Sequence, residues 1–306
     1  MSLICTGTIG IDTIETPSGE RREELLGGSG TYFAAAASFY APVRLVAAVG
    51  DDFPDSFNAV FEKFPQVDTE GLERRGGSKT FRWGGRYMED MDHRETLFTE
   101  LGVLGEAPPP VPQNFRDSQF VFLANGHPAV QSAMLDAIDS PKLSVVDTMD
   151  LWIDTAREPL EALLKRVDGL VLNFDEAEQF TGLRNPVAAG RKLLELGPRF
   201  VVVKKGEHGC ILVHRDGIGA LPAYPTERVV DPTGAGDSFA GGLMGALAAS
   251  NDADPGSIES VHAALAHGTV VASFNVESFT LDRLCEIGRD DLQARFDEFA
   301  GMVRFG

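Results

Sequence analysis

The sequence predicts an α/β fold: a mainly parallel β-sheet covered by helices on both faces, with a small β-sheet projecting from it. Two observations carry this. From Phe120 onward the apolar runs "FVFLAN", "LSVVDTM", "GLVLNFD" and "FVVVKKG" alternate with the helical stretches "AVQSAMLDAI", "EPLEALLKRV" and "PVAAGRKLLEL". Strands that are apolar throughout, rather than at every second residue, are buried on both faces, and strand–helix alternation makes them parallel. The second observation is the segment "SKTFRWGGRYMEDMDHRETLFTEL", residues 78–101, which mixes aromatic and β-branched residues with many charges and reads as exposed antiparallel strands. A chain of 306 residues holds one large domain and a small appendage. We therefore expect a single domain over residues 1–306 with a discontinuous β lid at about residues 11–26 and 77–104.

The elements follow in order. "LICTGT" is a short buried strand, and "IGIDTIETPSGERREELL", alternating and partly polar, supplies the first arm of the lid. "GGSGTYFAAAASFY" is a glycine turn feeding an alanine-rich helix, "VRLVAAVGDD" a second buried strand and "SFNAVFEKF" a short amphipathic helix. "EAPPPVPQNF" is a stiff connector without helix. After the alternating half, "CILVHRDGIGALPAYP" reads as a hairpin, and the C-terminal third is mostly helical. A sheet inserted between core strands makes a lid, and lids keep water from a reacting group.

Composition narrows the function. The formal charge of −19 argues against a nucleic-acid surface, which needs a basic face. It leaves room for an anionic substrate, because loops and a bound cation set the field at a site. No apolar run approaches a membrane span and no signal-peptide pattern opens the chain, so a cytoplasmic location is expected. Three cysteines, Cys5, Cys210 and Cys285, form no disulfide framework. The six histidines form no metal-ligand pattern. "GGSKT" lacks the spacing of a P-loop, and "TGTIGID" that of a dinucleotide fingerprint.

The most informative stretch is "VVDPTGAGDSFAGGLMGALAA", residues 229–249. Val229 and Val230 end an apolar run, Pro232 and Gly234 punctuate a turn, and Phe239, Leu243, Met244 and Leu247 recur at helical spacing. Gly234, Ala235 and Gly236 thus lie over a helix N-terminus, where free N–H groups and the dipole attract an anion. Asp237 lies in the first turn. A held anion beside a proton-accepting carboxylate is the pairing that phosphoryl transfer to an alcohol requires. Helix capping alone would account for a lone G-x-G-D; the full string Asp-Pro-Thr-Gly-Ala-Gly-Asp-Ser-Phe-Ala-Gly-Gly is far more specific.

That string resembles the C-terminal signature of the PfkB family of carbohydrate kinases, and the likeness extends over nearly all of the chain. It implies the ribokinase-like three-layer core with a small β-sheet lid, and an ATP-dependent phosphotransferase acting on a primary alcohol of a sugar or nucleoside. Asp237 would be the general base, with Gly234, Ala235 and Gly236 as the anion hole. "GTIGID" is similar to the family's first motif and "LGGSGTYFA" to its other signature, which implies acceptor contacts at Asp12, Gly27 and Gly28. In "NFDEAEQF", Asn173 and Glu176 match N-x-x-E, which implies that Glu176 organises Mg²⁺ through waters. "VVVKKGEHGC" places Lys204 and Gly206 near ATP, and "AHGTVVA" places His267 near the adenosine. Asp231 and Thr233 match positions where relatives bind a monovalent cation. The facing loop "NVESFTLDRL" lacks the family's glycine, so activation by K⁺ stays open. Tyr32 stands where ribokinases and adenosine kinases carry an Asn, which removes a furanose contact. Phe81, Trp83, Tyr87 and Phe98 in the lid either sandwich a nucleobase or pack the lid against the core or a second subunit, and a homodimer through the lid is expected. A non-catalytic nucleotide or sugar sensor on the same fold is the alternative; the intact glycine loop together with Asp237 argues against it.

Overall fold

The computed structural model describes residues 1–89, 91 and 93–304; positions 90 and 92 of the expected lid fall outside them. Its strands are β1 (Leu3–Thr6), β2 (Gly10–Glu15), β3 (Arg21–Gly27), β4 (Val43–Gly50), β5 (Val67–Arg75), β6 (Phe81–Tyr87), β7 (Arg94–Glu100), β8 (Phe120–Leu123), β9 (Leu143–Asp147), β10 (Gly169–Asn173), β11 (Phe200–Lys204), β12 (Cys210–His214) and β13 (Gly217–Leu221). The helices are α1 (Ser29–Ser38), α2 (Asp55–Phe61), α3 (Pro128–Asp136), α4 (Asp150–Thr155), α5 (Arg157–Leu164), α6 (Phe174–Thr181), α7 (Pro186–Leu194), α8 (Ala235–Ala249), α9 (Ile258–Asn275), α10 (Asp282–Glu286) and α11 (Arg289–Met302).

Nine strands form the large sheet in the order β13-β12-β11-β10-β9-β8-β1-β4-β5. The seven from β11 to β5 run parallel, and the β12–β13 hairpin closes one end antiparallel. Successive residues of the central strands divide between two cores. Cys5, Phe122, Val145, Val171 and Val202 face α1, α8 and α9, whereas Ile4, Val121, Val146, Leu172 and Val203 face α3, α5, α6 and α7. This division is why those strands read as unbroken apolar runs.

Strand β5 was not anticipated. Its sequence "VDTEGLERR" carries the charges of an exposed edge, which protect a sheet from pairing with another chain.

The lid is a four-stranded sheet in the order β3-β2-β6-β7. Its β2–β3 and β6–β7 pairs are antiparallel, as expected for an exposed sheet, but the seam between the two segments, β2–β6, is parallel. The cause lies in the core. β2 follows β1 and β6 follows β5, both after short turns, so both leave the same end of a parallel sheet in the same direction. That end is the carboxyl edge, where open α/β sheets bind ligands.

Candidate active site

Helix α8 starts from a turn over residues 232–234. Gly234 caps it at φ 74°, ψ 1°, a left-handed conformation that side chains resist, and an ideal Cβ there would lie 2.3 Å from the Tyr32 ring. The Ala235 N–H donates to the Pro232 carbonyl at 3.1 Å. Of the three N–H groups expected to face an anion, Ala235's is therefore already engaged in forming the turn.

The turn is tied down from three sides. Asn275, fully buried at the end of α9, donates from Nδ2 to the Thr233 carbonyl at 2.9 Å and accepts from the Ser238 hydroxyl at 3.1 Å. Asp231 accepts the Thr233 N–H at 2.9 Å and the Thr280 N–H at 3.5 Å. From the lid, the Tyr87 hydroxyl meets Thr233 Oγ1 at 2.9 Å. Asp231 and Thr233 are thus together as expected for a cation site, with their oxygens already serving the turn.

Asp237, in the first turn of α8, is pushed up to about 7 by burial and then by the charge of Asp147; Lys204 and Arg94 oppose this. Three neighbouring parallel strands end around it. β9 ends in Asp147, β10 in Asn173 and β11 in Lys204, with Asn173 directly beside Lys204. Lys204 Nζ lies 3.4 Å from Asp147 Oδ2 and 2.9 Å from an ideal Cβ on Gly236, so the ammonium rests against the turn. Burial alone would lower the lysine's pKa, but Asp147, Glu176 and Asp237 outweigh it and keep it charged. Gly206, at φ 54°, opens a 3₁₀ turn two residues on.

Asn173 and Glu176 form a reciprocal capping box on α6: the Glu176 N–H donates to Asn173 Oδ1 at 2.8 Å and the Asn173 N–H to Glu176 Oε2 at 2.7 Å. The capping role does not exhaust Glu176. The residue is buried, and burial followed by Asp147's charge pushes its carboxyl up to about 8.

Asp12, on β2, faces the turn from the lid side. Gly27 leaves room for it, since an ideal Cβ there would lie 1.9 Å from Asp12 Oδ2. Burial, then Asp231 and Asp237, push Asp12 up to about 8, and the Gly28 N–H partly offsets them. Its Oδ1 is buried with no hydrogen-bond partner in the protein, which fits a carboxylate kept for a ligand hydroxyl.

His267 is not brought into this cluster. Its ring stacks on Phe296 at 4.4 Å and meets Tyr40 edge-on at 5.2 Å. These contacts pack α9 against α11 and the end of α1, and the adenosine contact stays an expectation.

With this geometry in hand, residues 2–283 match the model of the pfkB family carbohydrate kinases. The chain belongs to the PfkB family. It is 31% identical over 252 residues to the cytidine kinase of Thermococcus kodakarensis, covering 80% of this chain and 87% of that one. It is 28% identical to a nucleoside kinase of Methanothermobacter thermautotrophicus, over 74% and 72% of the two chains. The ribokinase of Giardia lamblia superposes with a TM-score of 0.80 at 18% identity over 97% and 99% of the chains, which shows the ribokinase-like fold. This PfkB-family member is a sugar or nucleoside kinase, a phosphotransferase with an alcohol as acceptor. Among its described residues no helix is long and apolar enough to cross a membrane.

Three residues of this PfkB site escaped the sequence motifs. Asp147 could have been found as an acid at the carboxyl end of a buried parallel strand. Asn275 and Arg94 had no such signal: one is the last residue of an apolar helix, the other lies in a lid segment full of charges. Tyr32, in the place of the family's Asn, is buried with its ring over Gly234.

Proposed function

We propose that this kinase transfers the γ-phosphoryl group of ATP to the primary alcohol of a nucleoside. One observation carries the reading. A carboxylate poised near neutrality, Asp237, stands at a helix N-terminus with a half-buried lysine, Lys204, on one side and a carboxylate with an unpartnered oxygen, Asp12, on the other.

Asp12 accepts hydroxyls of the acceptor and orients it, with Gly27 and Gly28 letting the backbone come close. Asp237 takes the proton of the attacking alcohol, and a pKa near working pH suits that task. The N–H groups of Gly234 and Gly236, with Ala235 between them, face the transferring group, and the Lys204 ammonium adds a fixed charge beside them. Gly206 lets the nucleotide lie over the end of β11. Mg²⁺ bound with ATP would neutralise the phosphates. Asp147 and Glu176 fit it, because they are a buried acid pair in which Asp147 raises Glu176. No group of three or more acidic, His or Cys side chains among the described residues forms a cage, in keeping with an ion that takes few direct protein ligands.

Two supports favour a nucleoside over a free sugar: the names of the two relatives above, and Trp83. The half-buried indole shares a cluster with Ile14, Tyr87 and Phe279 on the core-facing side of the lid. A panel of adenosine, cytidine, ribose and fructose with Mg·ATP tests the reading. We expect higher kcat/KM for the nucleosides, and a loss of about 10-fold or more for them alone in Trp83→Ala, the size of a base–aromatic stack. If a free sugar wins and Trp83→Ala affects all acceptors alike, the indole only packs the lid.

A further inference from the structure

Arg94 opens β7, and its direct cross-strand partner on β6 is Tyr87. Residues directly opposite in an antiparallel pair share a face, with Cβ atoms about 4.5–5.5 Å apart. Which face that is follows from Tyr87, whose hydroxyl reaches Thr233 of the α8 turn at 2.9 Å. Arg94 therefore stands on the side of the lid that looks into the cleft. Its guanidinium carbon lies 5.8 Å from the centre of the Trp83 ring, which braces the side chain along the lid.

The electrostatics agree with this placement. Arg94 favours the ionised forms of both Asp237, on α8, and Glu176, on α6.

We propose that Arg94 is a further catalytic residue, a guanidinium carried by the lid that contacts the transferring phosphoryl group. The inference rests on the kinase reading of the site. In the transfer, the bond from the γ-phosphorus to the β–γ bridging oxygen breaks as the acceptor oxygen bonds to phosphorus. The acceptor proton passes to Asp237, and the displaced electron pair leaves on ADP. Negative charge spreads over the three equatorial oxygens of the group in flight. Lys204 lies beneath that position, against Gly236, and Arg94 lies above it. A planar guanidinium can bridge two of those oxygens at once. The Tyr87–Thr233 bond fixes the lid's register over the turn, so Arg94 would be in place only when the lid is seated on the substrate.

The test compares the unsubstituted chain with Arg94→Ala and Arg94→Lys, using the best nucleoside of the panel. We expect Arg94→Ala to lower kcat by about 10²–10³-fold, the cost of removing one donor aimed at transition-state charge, with both KM values within about threefold. Free guanidinium ions should restore part of the rate to Arg94→Ala. Binding of ADP with tetrafluoroaluminate, which mimics the group in flight, should be lost while binding of ADP alone is kept. A lid arginine that only steadies the fold would give neither the rescue nor the selective loss. A kcat within threefold of the unsubstituted chain, or a loss confined to the acceptor KM, overturns the proposal. Turnover of no acceptor by the unsubstituted chain overturns the kinase reading itself, and the role of Arg94 with it.

Discussion

At the scale of single residues, the site is a set of acids held away from water beside one lysine. Asp12, Glu176 and Asp237 are each held well above the usual carboxyl range, first by burial. Such groups oppose folding when they ionise. For Asp237 the unfolded chain releases its proton near pH 4 and the folded chain near pH 7. Between those values the folded state holds more protons, so this residue's contribution to stability falls as pH rises, and it levels off above about pH 7. Asp237→Asn removes the ionisation. Its melting temperature relative to the unsubstituted protein should climb from about pH 4 to about pH 7 and then stay constant. An offset that does not change with pH would mean that the carboxyl is not raised. The identity of this residue was legible because a whole string of small residues surrounds it. Asp147 was not, because a single acid after an apolar strand has no neighbours in sequence that reveal its neighbours in space. Those neighbours come from Lys204 and Glu176, on β11 and α6.

At the scale of elements, the central strands and the α8 turn could be read directly, since burial on both faces leaves an unbroken apolar signature. The strands of the small sheet were legible from their composition, but their pairing was not. Its parallel β2–β6 seam is dictated by where β1 and β5 end, which no local pattern within the lid encodes. The aromatic residues that suggested a lid homodimer are largely satisfied within the chain. Trp83 would crowd a side chain at Gly85 and packs in the lid–core cluster, and Phe98 lies over Gly84. The two edge strands carry Arg and Glu residues, which discourage strand pairing. Whether two lids pair is a question of oligomeric state. Light scattering over a dilution series should show a mass that falls toward the monomer on dilution if the lids pair. A constant monomer would leave the lid as a cover for one site only.

At the scale of the whole molecule, the fold brings the small sheet and the carboxyl edge of the large one together at the α8 turn, where the proposed reading has the first hold the acceptor and the second the phosphoryl group. The lid contributes Asp12, Trp83, Tyr87 and Arg94; the carboxyl edge and α8 contribute Asp147, Glu176, Lys204 and Asp237. Only the halves of this arrangement were visible in sequence, because their meeting is a property of the fold. The central claim is that Asp237 is the general base of a kinase. Steady-state turnover of the preferred nucleoside with Mg·ATP, measured across pH for the unsubstituted chain and Asp237→Asn, tests it most directly. The account predicts that kcat/KM of the unsubstituted chain rises with pH and levels near pH 7, as Asp237 ionises. Asp237→Asn should lose about 10²–10⁴-fold in kcat, lose that pH dependence and retain its affinity for ATP. Turnover of Asp237→Asn within a few-fold of the unsubstituted chain, on the same pH profile, would contradict the account.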